Sequence, residues 1–290
     1  MVFSGSITPT VFSPLSIGDD IFVEVSHGPT LIDNNVMLSS NCVRLSTQGV
    51  AIVHNLIAGA FIGVGIGTDN GGIKFPTPRY TPYHVPHRTE IAGFMTFLHG
   101  DMRFYNNIFI QRPVRKDFLA YAKVLLDEQV IAEMPNFVTG TKPYDGYPTA
   151  KAYFNGLTQP DAFGMYSGDK YYDHLPVSTG GNVFLDGAQP CNIEENFAIA
   201  EAPVFLQLEE RSEGYVLNTN LYQILPELST PFVSTELLGE AFEPEQKFEC
   251  PDGTPILFDR DYFEERHGLH PTPGPFADGC ELERPLVSSR

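Results

Sequence analysis

A single acidic residue set between two large apolar ones is the pattern that turns a carboxylate to the open face of a β-strand. Val23-Glu24-Val25 has it. Such a carboxylate is a candidate acid. Val43-Arg44-Leu45 repeats the frame with a cation, and a cation one strand away lowers the pKa of a carboxylate. An acid role for Glu24 therefore needs burial or a second negative group to oppose Arg44. The plainer outcome is a surface ion pair between neighbouring strands, worth about 0.2–1 kcal/mol. Further along, residues 75–90 gather Tyr80, Tyr83, His84 and Arg88 among four prolines. That density of aromatic, His and Arg side chains points to a binding wall rather than a plain loop.

Strands must position these groups, and the sequence repeats as if it held them. A motif of small or polar residues ending in Asn, followed by large apolar ones, occurs at Asp33-Asn34-Asn35-Val36-Met37-Leu38 and at Val53-His54-Asn55-Leu56-Ile57. It recurs at Phe104-Tyr105-Asn106-Asn107-Ile108-Phe109-Ile110, with a weaker copy at Gly181-Asn182-Val183-Phe184-Leu185 and another at Thr8-Pro9-Thr10-Val11-Phe12. A period of ~20–25 residues with short β-rich runs fits coils stacked ~4.8 Å apart, with Asn at bends where its amide reaches the Asn of the next coil. Counting eleven residues back from Asn35, Asn55 and Asn107 gives Glu24, Arg44 and Thr96, each flanked by apolar residues. These three are expected to stack in one outward row. His27-Gly28 and His99-Gly100 follow Glu24 and Thr96 at the same offset.

The rest of the chain is less regular. Residues 117–131 read as one helix, capped by Asp117, and 139–175 as an aromatic, loop-rich stretch. Runs ending at Leu208 and beginning at Tyr215 flank Glu209-Glu210-Arg211-Ser212-Glu213-Gly214, a hairpin signal, and Pro251 to Asp259 form a turn and strand. The organisation expected is all-β: a parallel β-helix over residues 1–190 with inserted loops and one helix, and a β-rich antiparallel appendage over 191–290. A formal net charge of −18 disfavours nucleic acid and anionic membranes. No run reaches the ~18 apolar residues of a membrane span. Cys42, Cys191, Cys250 and Cys280 lack metal-site spacing and read as reduced thiols. The glycines at 63–72 match no phosphate-binding loop, and Asp69-Asn70-Gly71-Gly72 reads as a turn rather than a cation site. No cofactor or metal is expected.

The run Asp20-Ile21-Phe22-Val23-Glu24-Val25-Ser26-His27-Gly28-Pro29-Thr30-Leu31-Ile32-Asp33-Asn34-Asn35 resembles the acid/base segment of glycoside hydrolase family 120. So do Arg79-Tyr80-Thr81-Pro82-Tyr83-His84, Glu90-Ile91-Ala92-Gly93 and Gly100-Asp101-Met102-Arg103-Phe104-Tyr105-Asn106-Asn107. Thr235-Glu236-Leu237-Leu238-Gly239 and Pro271-Thr272-Pro273-Gly274-Pro275-Phe276 are similar to its closing segment. The resemblance implies a β-xylosidase: a right-handed parallel β-helix with a β-sandwich part, hydrolysing β-xylosides and xylo-oligosaccharides with retention. It makes Glu24 the general acid/base, tuned by Arg44. His27, His54, His84, Asp101 and Arg103 then contact sugar hydroxyls, and Tyr80 or Tyr83 stacks on a ring.

The family's nucleophile is an Asp in a Trp-flanked motif one coil before the acid/base, and this sequence has no Trp. The expectation is that the nucleophile strand lies just upstream of Met1, leaving the first coil about Thr8 to Phe12 uncovered and residues before about 19 poorly ordered. One coil is the right distance, since retaining carboxyls sit ~5–5.5 Å apart and stacked strands ~4.8 Å. Two other readings stand beside it. One is a β-helix, or degenerate enzyme fragment, that binds carbohydrate without cleaving it. The other is a polysaccharide lyase, which the missing acidic cluster on the coil faces disfavours. An oligosaccharide is the expected partner, with homo-oligomerisation left open. Compartment is open too, because the first residues lack a signal-peptide pattern but the true start lies elsewhere on this reading.

Overall fold

The computed structural model describes residues 6–7, 11–12, 18–64, 80–96, 98–158, 174–277 and 284–288. Its first half winds in laps through three parallel sheets. A leading lap gives β1 (Ser6–Ile7) and β2 (Val11–Phe12). The next gives β3 (Asp19–Glu24), β4 (Thr30–Asp33) and β5 (Val36–Met37), and the one after gives β6 (Asn41–Ser46), β7 (Gln48–Val53) and β8 (Leu56–Gly59). Then come β9 (Phe61–Val64), an inserted hairpin of β10 (Tyr80–His84) and β11 (Ile91–Thr96), and β12 (Gly100–Tyr105) with β13 (Ile108–Gln111). Sheet I is β3-β6-β9, sheet II begins β1-β4-β7-β12, and sheet III begins β2-β5-β8-β13. The backbone of residues 6–7 and 11–12 pairs with β4 and β5. The remainder of the expected weak stretch before residue 19 lies outside the described residues.

Apolar alternation fills the winding. Ile21, Val43 and Leu45 of sheet I face Ile32, Val50 and Ile52 of sheet II inside it. Phe104, Phe109 and Phe184 continue the column, with Phe109 and Phe184 stacked at 5.2 Å between ring centroids. Such rings contribute beyond their buried area when offset-packed.

The corner between sheets II and III is polar, and there the Asn repeat works as read. Asn35, Asn55, Asn107 and Asn182 are fully buried. The backbone N–H and Nδ2 of Asn35 both donate to Asn55 Oδ1 at 3.0 Å. Asn55 donates likewise to Asn107 Oδ1 at 3.0 and 3.1 Å, and Asn107 to Asn182 Oδ1 at 2.9 and 3.0 Å. The weak copy at Asn182 is thus a full rung, and its Nδ2 ends the ladder on Glu194 Oε1 at 2.7 Å. Burial holds the Glu194 carboxyl above its usual range, while bonds from Thr141 and Asn182 oppose that. The residue before each ladder Asn takes left-handed φ: Asn34 at 54°, His54 at 55°, Asn106 at 57° and Gly181 at 72°. Asn and Gly tolerate that geometry, which makes the corner sharp.

After β13 the winding changes. The single helix expected over 117–131 is two, α1 (Lys116–Leu125) and α2 (Glu128–Glu133), and α3 (Ala150–Thr158) follows. The chain breaks into extended geometry at Leu126 and Asp127, so the apolar spacing does not carry through. Tyr144, fully buried, packs on Phe104 at 5.2 Å and joins the apolar cluster inside the winding. Sheets II and III resume with β14 (Val177–Gly180), β15 (Val183–Leu185) and β16 (Ala198–Ala200), so parallel pairing runs past residue 190.

The C-terminal part adds β17 (Leu206–Arg211), β18 (Gly214–Thr219), α4 (Leu221–Ile224), α5 (Thr235–Leu238), β19 (Glu240–Ala241), β20 (Gln246–Lys247) and β21 (Val287–Ser288). The hairpin read at 209–214 is β17–β18, antiparallel in register from Leu206↔Thr219 to Arg211↔Gly214. Leu217, Phe263 and Phe276 cover the outer face of sheet III. Val233, Phe248 and Phe258 cover that of sheet II, over Leu31, Ala51 and Val53. Sheet I keeps exposed side chains: Phe22 at 47%, with Glu24 and Arg44 beside it.

Candidate active site

Glu24 ends β3 with an exposed side chain, as strand alternation predicts. The chain then turns at once. Val25 has φ of 58°, a left-handed value that β-branched residues almost never adopt. Backbone strain of this kind gathers at functional positions and costs on the order of 1–3 kcal/mol. Directly after His27 comes the next corner, where Gly28 and Gly49 lie so close that a Cβ on Gly28 would sit 2.2 Å from the Gly49 carbonyl oxygen. No other residue type fits there.

The expected outward row of Glu24, Arg44 and Thr96 does not form. Glu24 pairs with Ser46, and Arg44 pairs with Phe22. The reason is the length of the corner. Five residues separate Glu24 from Thr30, but three separate Ser46 from Val50, although Thr30 and Val50 are partners. Counting back a fixed distance therefore slips by two. Thr96 is on β11, in the inserted hairpin, and β9 supplies the third strand of sheet I instead. Arg44 stacks over the Phe22 ring at 4.8 Å and pairs with Asp19 at 3.7 Å. Arg44 thus sits directly opposite Phe22 and diagonal to Glu24, with Asp19 as its ion-pair partner. Gly63 opposes Arg44, and a Cβ on it would crowd the Arg44 stem at 3.2 Å.

Four of the expected sugar contacts are instead internal joints. His27 is 1% exposed. Gln48 Nε2 donates to its Nδ1 at 2.8 Å, which leaves Nε2 to meet Thr81 Oγ1 at 2.6 Å. Burial lowers its pKa, and the neutral ring pins the base of the β10–β11 hairpin to the corner after Glu24. His54, fully buried, donates from Nδ1 to the Gly274 carbonyl at 3.1 Å and accepts from Asn106 Nδ2 at 3.1 Å. Burial, with His267 stacked on it at 4.8 Å, lowers its pKa to about 3. Asp101 and Arg103 form a buried ion pair at 2.8 Å. Arg103 also donates to the carbonyls of Leu238 and Glu240 at 2.5 Å, and Asp101 Oδ2 accepts from the Phe242 amide at 2.8 Å. The pair clamps the segment after α5 onto β12. All four are buried, and each spends its hydrogen bonds holding two elements together.

The hairpin supplies the remaining three. Tyr80 is 64% exposed, one residue from the Thr81 anchor and so close to the Glu24 corner. Tyr83 is half-buried, its ring edge-on to His27 at 6.1 Å. His84 donates through Nδ1 to the Thr89 carbonyl at 3.0 Å within the hairpin. Residues 65–79, the glycine-rich part of the expected wall and its Asp69 turn, lie outside the described residues.

Sequence reading passed over Asp20. Burial, with Asp19 beside it, raises its carboxyl to about 6 even though Ser39 donates to it from backbone and side chain. Four residues along a strand is about 13 Å, too far from Glu24 for either glycosidase geometry, which needs ~5–9.5 Å between carboxyls. Its signal was the doubled acid Asp19-Asp20 opening a strand. Among the described residues no group of three His, Cys, Asp or Glu is placed to hold a metal ion. The outer face of sheet I thus offers an exposed carboxylate, an apolar ring and an aromatic arm.

No family profile and no curated protein matches the chain. A solved structure does: XylC in complex with xylose, 28% identical, with a TM-score of 0.68 over 88% of this chain and 35% of that one. The chain spans about a third of the length of XylC.

Proposed function

We propose that the chain is the acid/base-bearing part of a retaining glycoside hydrolase acting on β-xylosides, built on a right-handed parallel β-helix. The observation that carries this reading is Glu24, exposed at the end of β3 on the outer face that the C-terminal region leaves open, with strained Val25 fixing the turn behind it. The resemblance of residues 20–35 to the family's acid/base segment supports it. So does the likeness to XylC, a protein solved with xylose.

In this mechanism Glu24 enters protonated and gives its proton to the glycosidic oxygen as that bond breaks, while a carboxylate on the opposite face of the sugar bonds to the anomeric carbon. Glu24, now a carboxylate, takes a proton from water, whose oxygen displaces the enzyme carboxylate and restores the starting state. The second carboxylate belongs one rung from Glu24. In the described register the rung after it holds Ser46, so the nucleophile is assigned to a strand docked on the other edge of β3. Phe22 and Tyr80 then provide apolar surfaces for sugar rings.

The test is hydrolysis of aryl β-xylosides by a protein extended by one coil on the amino-terminal side of β3. Glu24→Gln is expected to abolish kcat/KM where the leaving group is poor and to spare much of kcat/KM where the leaving group needs no proton, since kcat/KM reports glycosyl-enzyme formation and only the later hydrolysis step then lacks its base. Equal loss on both, or no loss, contradicts the assignment.

A second reading is favoured by that same Ser46 register: the 290-residue chain binds xylosides without cleaving them. Binding of xylobiose by this chain with no product formed is its expected outcome, and turnover by this chain alone excludes it.

A further inference from the structure

Both ends of the inserted β10–β11 hairpin are tied to one buried amide. Gln48 opens β7 and is fully buried. Its Oε1 accepts the backbone N–H of Leu98, just past β11, at 2.7 Å. A backbone N–H can only donate, so this bond fixes which end of the amide is oxygen. Gln48 Nε2 therefore donates to His27 Nδ1, 2.8 Å away. Because Nδ1 accepts, the proton of the neutral ring sits on Nε2. It is offered to Thr81 of β10, whose Oγ1 lies at 2.6 Å and carbonyl at 3.2 Å. From Leu98 to Thr81 each donor dictates the next.

A second proton on the ring breaks this chain. Imidazolium carries N–H on both nitrogens, so Nδ1–H would face the Gln48 amide hydrogens, donor against donor. Turning the amide over satisfies Nδ1–H but sets its NH2 against the Leu98 N–H. Either way one buried donor loses its acceptor, and the cost falls on the docked hairpin. The titratable neighbours of the ring are Tyr83 on the hairpin, edge-on at 6.1 Å, Glu24 three residues back on its own lap, and His99 beside Leu98. Burial lowers the His27 pKa, and the bond to the Thr81 carbonyl opposes that. The far end of the hairpin is held separately. Gln246 donates to the His84 carbonyl, and His87 pairs with Glu249 at 2.9 Å, a contact that gains charge when its imidazole is protonated.

We propose that Gln48 is a positioning residue and that with His27 it forms a proton-operated latch. Closed at neutral pH, the latch holds the base of the hairpin, and with it Tyr80, at the corner after Glu24; in acid it frees that base while the far end stays tethered. That Tyr80 serves a sugar there rests on the function proposed above. The latch itself does not, so its test uses no turnover. Nitrogen NMR of the 290-residue chain at pH 7 is expected to show His27 as the neutral Nε2–H tautomer. As pH falls below about 6.5, opening is expected to rise by up to about tenfold per pH unit, until the lowered pKa of the closed state is reached. The readout is protection of the Leu98 amide against hydrogen exchange, with the amides of Ala51 to Val53 in β7 keeping theirs. Gln48→Glu offers acceptors to both the Leu98 N–H and Nδ1–H, so it is expected to hold the imidazolium, raise the His27 pKa and abolish the acid opening. An Nδ1–H tautomer in the parent protein overturns the proposal, whether or not the variant folds. So does Leu98 protection that is flat from pH 7 to pH 5, that falls together with β7, or that falls as steeply in Gln48→Glu as in the parent.

Discussion

Replacing Asn55 by Ala removes the centre of the buried ladder while leaving an ordinary backbone conformation, since the left-handed φ belongs to His54. The backbone N–H and Nδ2 of Asn35 both lose the Asn55 acceptor at 3.0 Å, while Nδ2 keeps the Asp33 carbonyl at 2.9 Å. The Ile32 carbonyl loses a donor at 2.8 Å, whereas Asn107 Oδ1 still receives the backbone N–H of residue 55. About two buried groups are left unsatisfied, each costing ~1–3 kcal/mol, and the small cavity adds to that. A loss of about 3–5 kcal/mol follows, against a total stability of ~5–15 kcal/mol for a domain. Thermal unfolding falls by roughly 6–20 °C on the scale for large domains. Asn136, exposed and with its side chain bonded to the Glu133 side chain at 3.1 Å, is the matched control. Asn136→Ala is expected to stay within about 0.5 kcal/mol. Calorimetry or urea unfolding of both variants decides it. A cost below about 1 kcal/mol for Asn55→Ala, or equal costs at the two sites, refutes the ladder as a source of stability.

Three further outcomes follow from the joints. Arg103→Ala leaves Asp101 charged and buried, a change that costs ~3–5 kcal/mol when one partner of such a pair is removed; hydrogen exchange should show Gly239 to Phe248 losing protection before β12 does, and simultaneous loss of both contradicts the clamp. His54 has a folded pKa of about 3, below its value near 6.5 when unfolded, so its neutral form stabilises the fold above about 6.5 and that contribution drains away as pH falls toward 3. His54→Asn, of a residue type already found in that column, should flatten the acid limb of stability between those values, and an unaltered limb counts against the assignment. Asp20 runs the other way: its carboxyl is raised to about 6, so its contribution is present below about 3.8 and lost as pH rises through 6. Asp20→Asn should raise stability at pH 8 by on the order of 1 kcal/mol and leave it unchanged at pH 4, as followed by urea unfolding at the two pH values.

The ladder was legible because its signal is local: an Asn followed by apolar residues means the same thing in every lap. The hairpin β17–β18 was legible for the same reason. The outward row failed because it depended on counting across a corner, and corner length is fixed by tertiary packing at Gly28 and Gly49, which periodicity does not register. Thr96 failed through a whole insertion. The histidines and the Asp101–Arg103 pair show a different limit. Composition marks them as chemically able, but whether such a group meets solvent or another backbone is decided by residues up to 220 positions away, as with His54 and Gly274. Glu24 was found because alternation alone puts it outside. Asp20 was missed because its burial is tertiary and the residue that bonds it, Ser39, lies 19 positions away.

The central claim, that Glu24 is the acid/base of a retaining mechanism, is tested most directly by azide rescue of Glu24→Ala in the protein extended by the preceding coil. An activated aryl β-xyloside, whose leaving group needs no proton, forms the glycosyl-enzyme without Glu24, and azide then attacks without needing a base. The account predicts that azide restores turnover and that the product, read by NMR, is the β-xylosyl azide. An α-xylosyl azide would make Glu24 the nucleophile, and no rescue at all, with the extended parent protein active, would remove it from the chemistry.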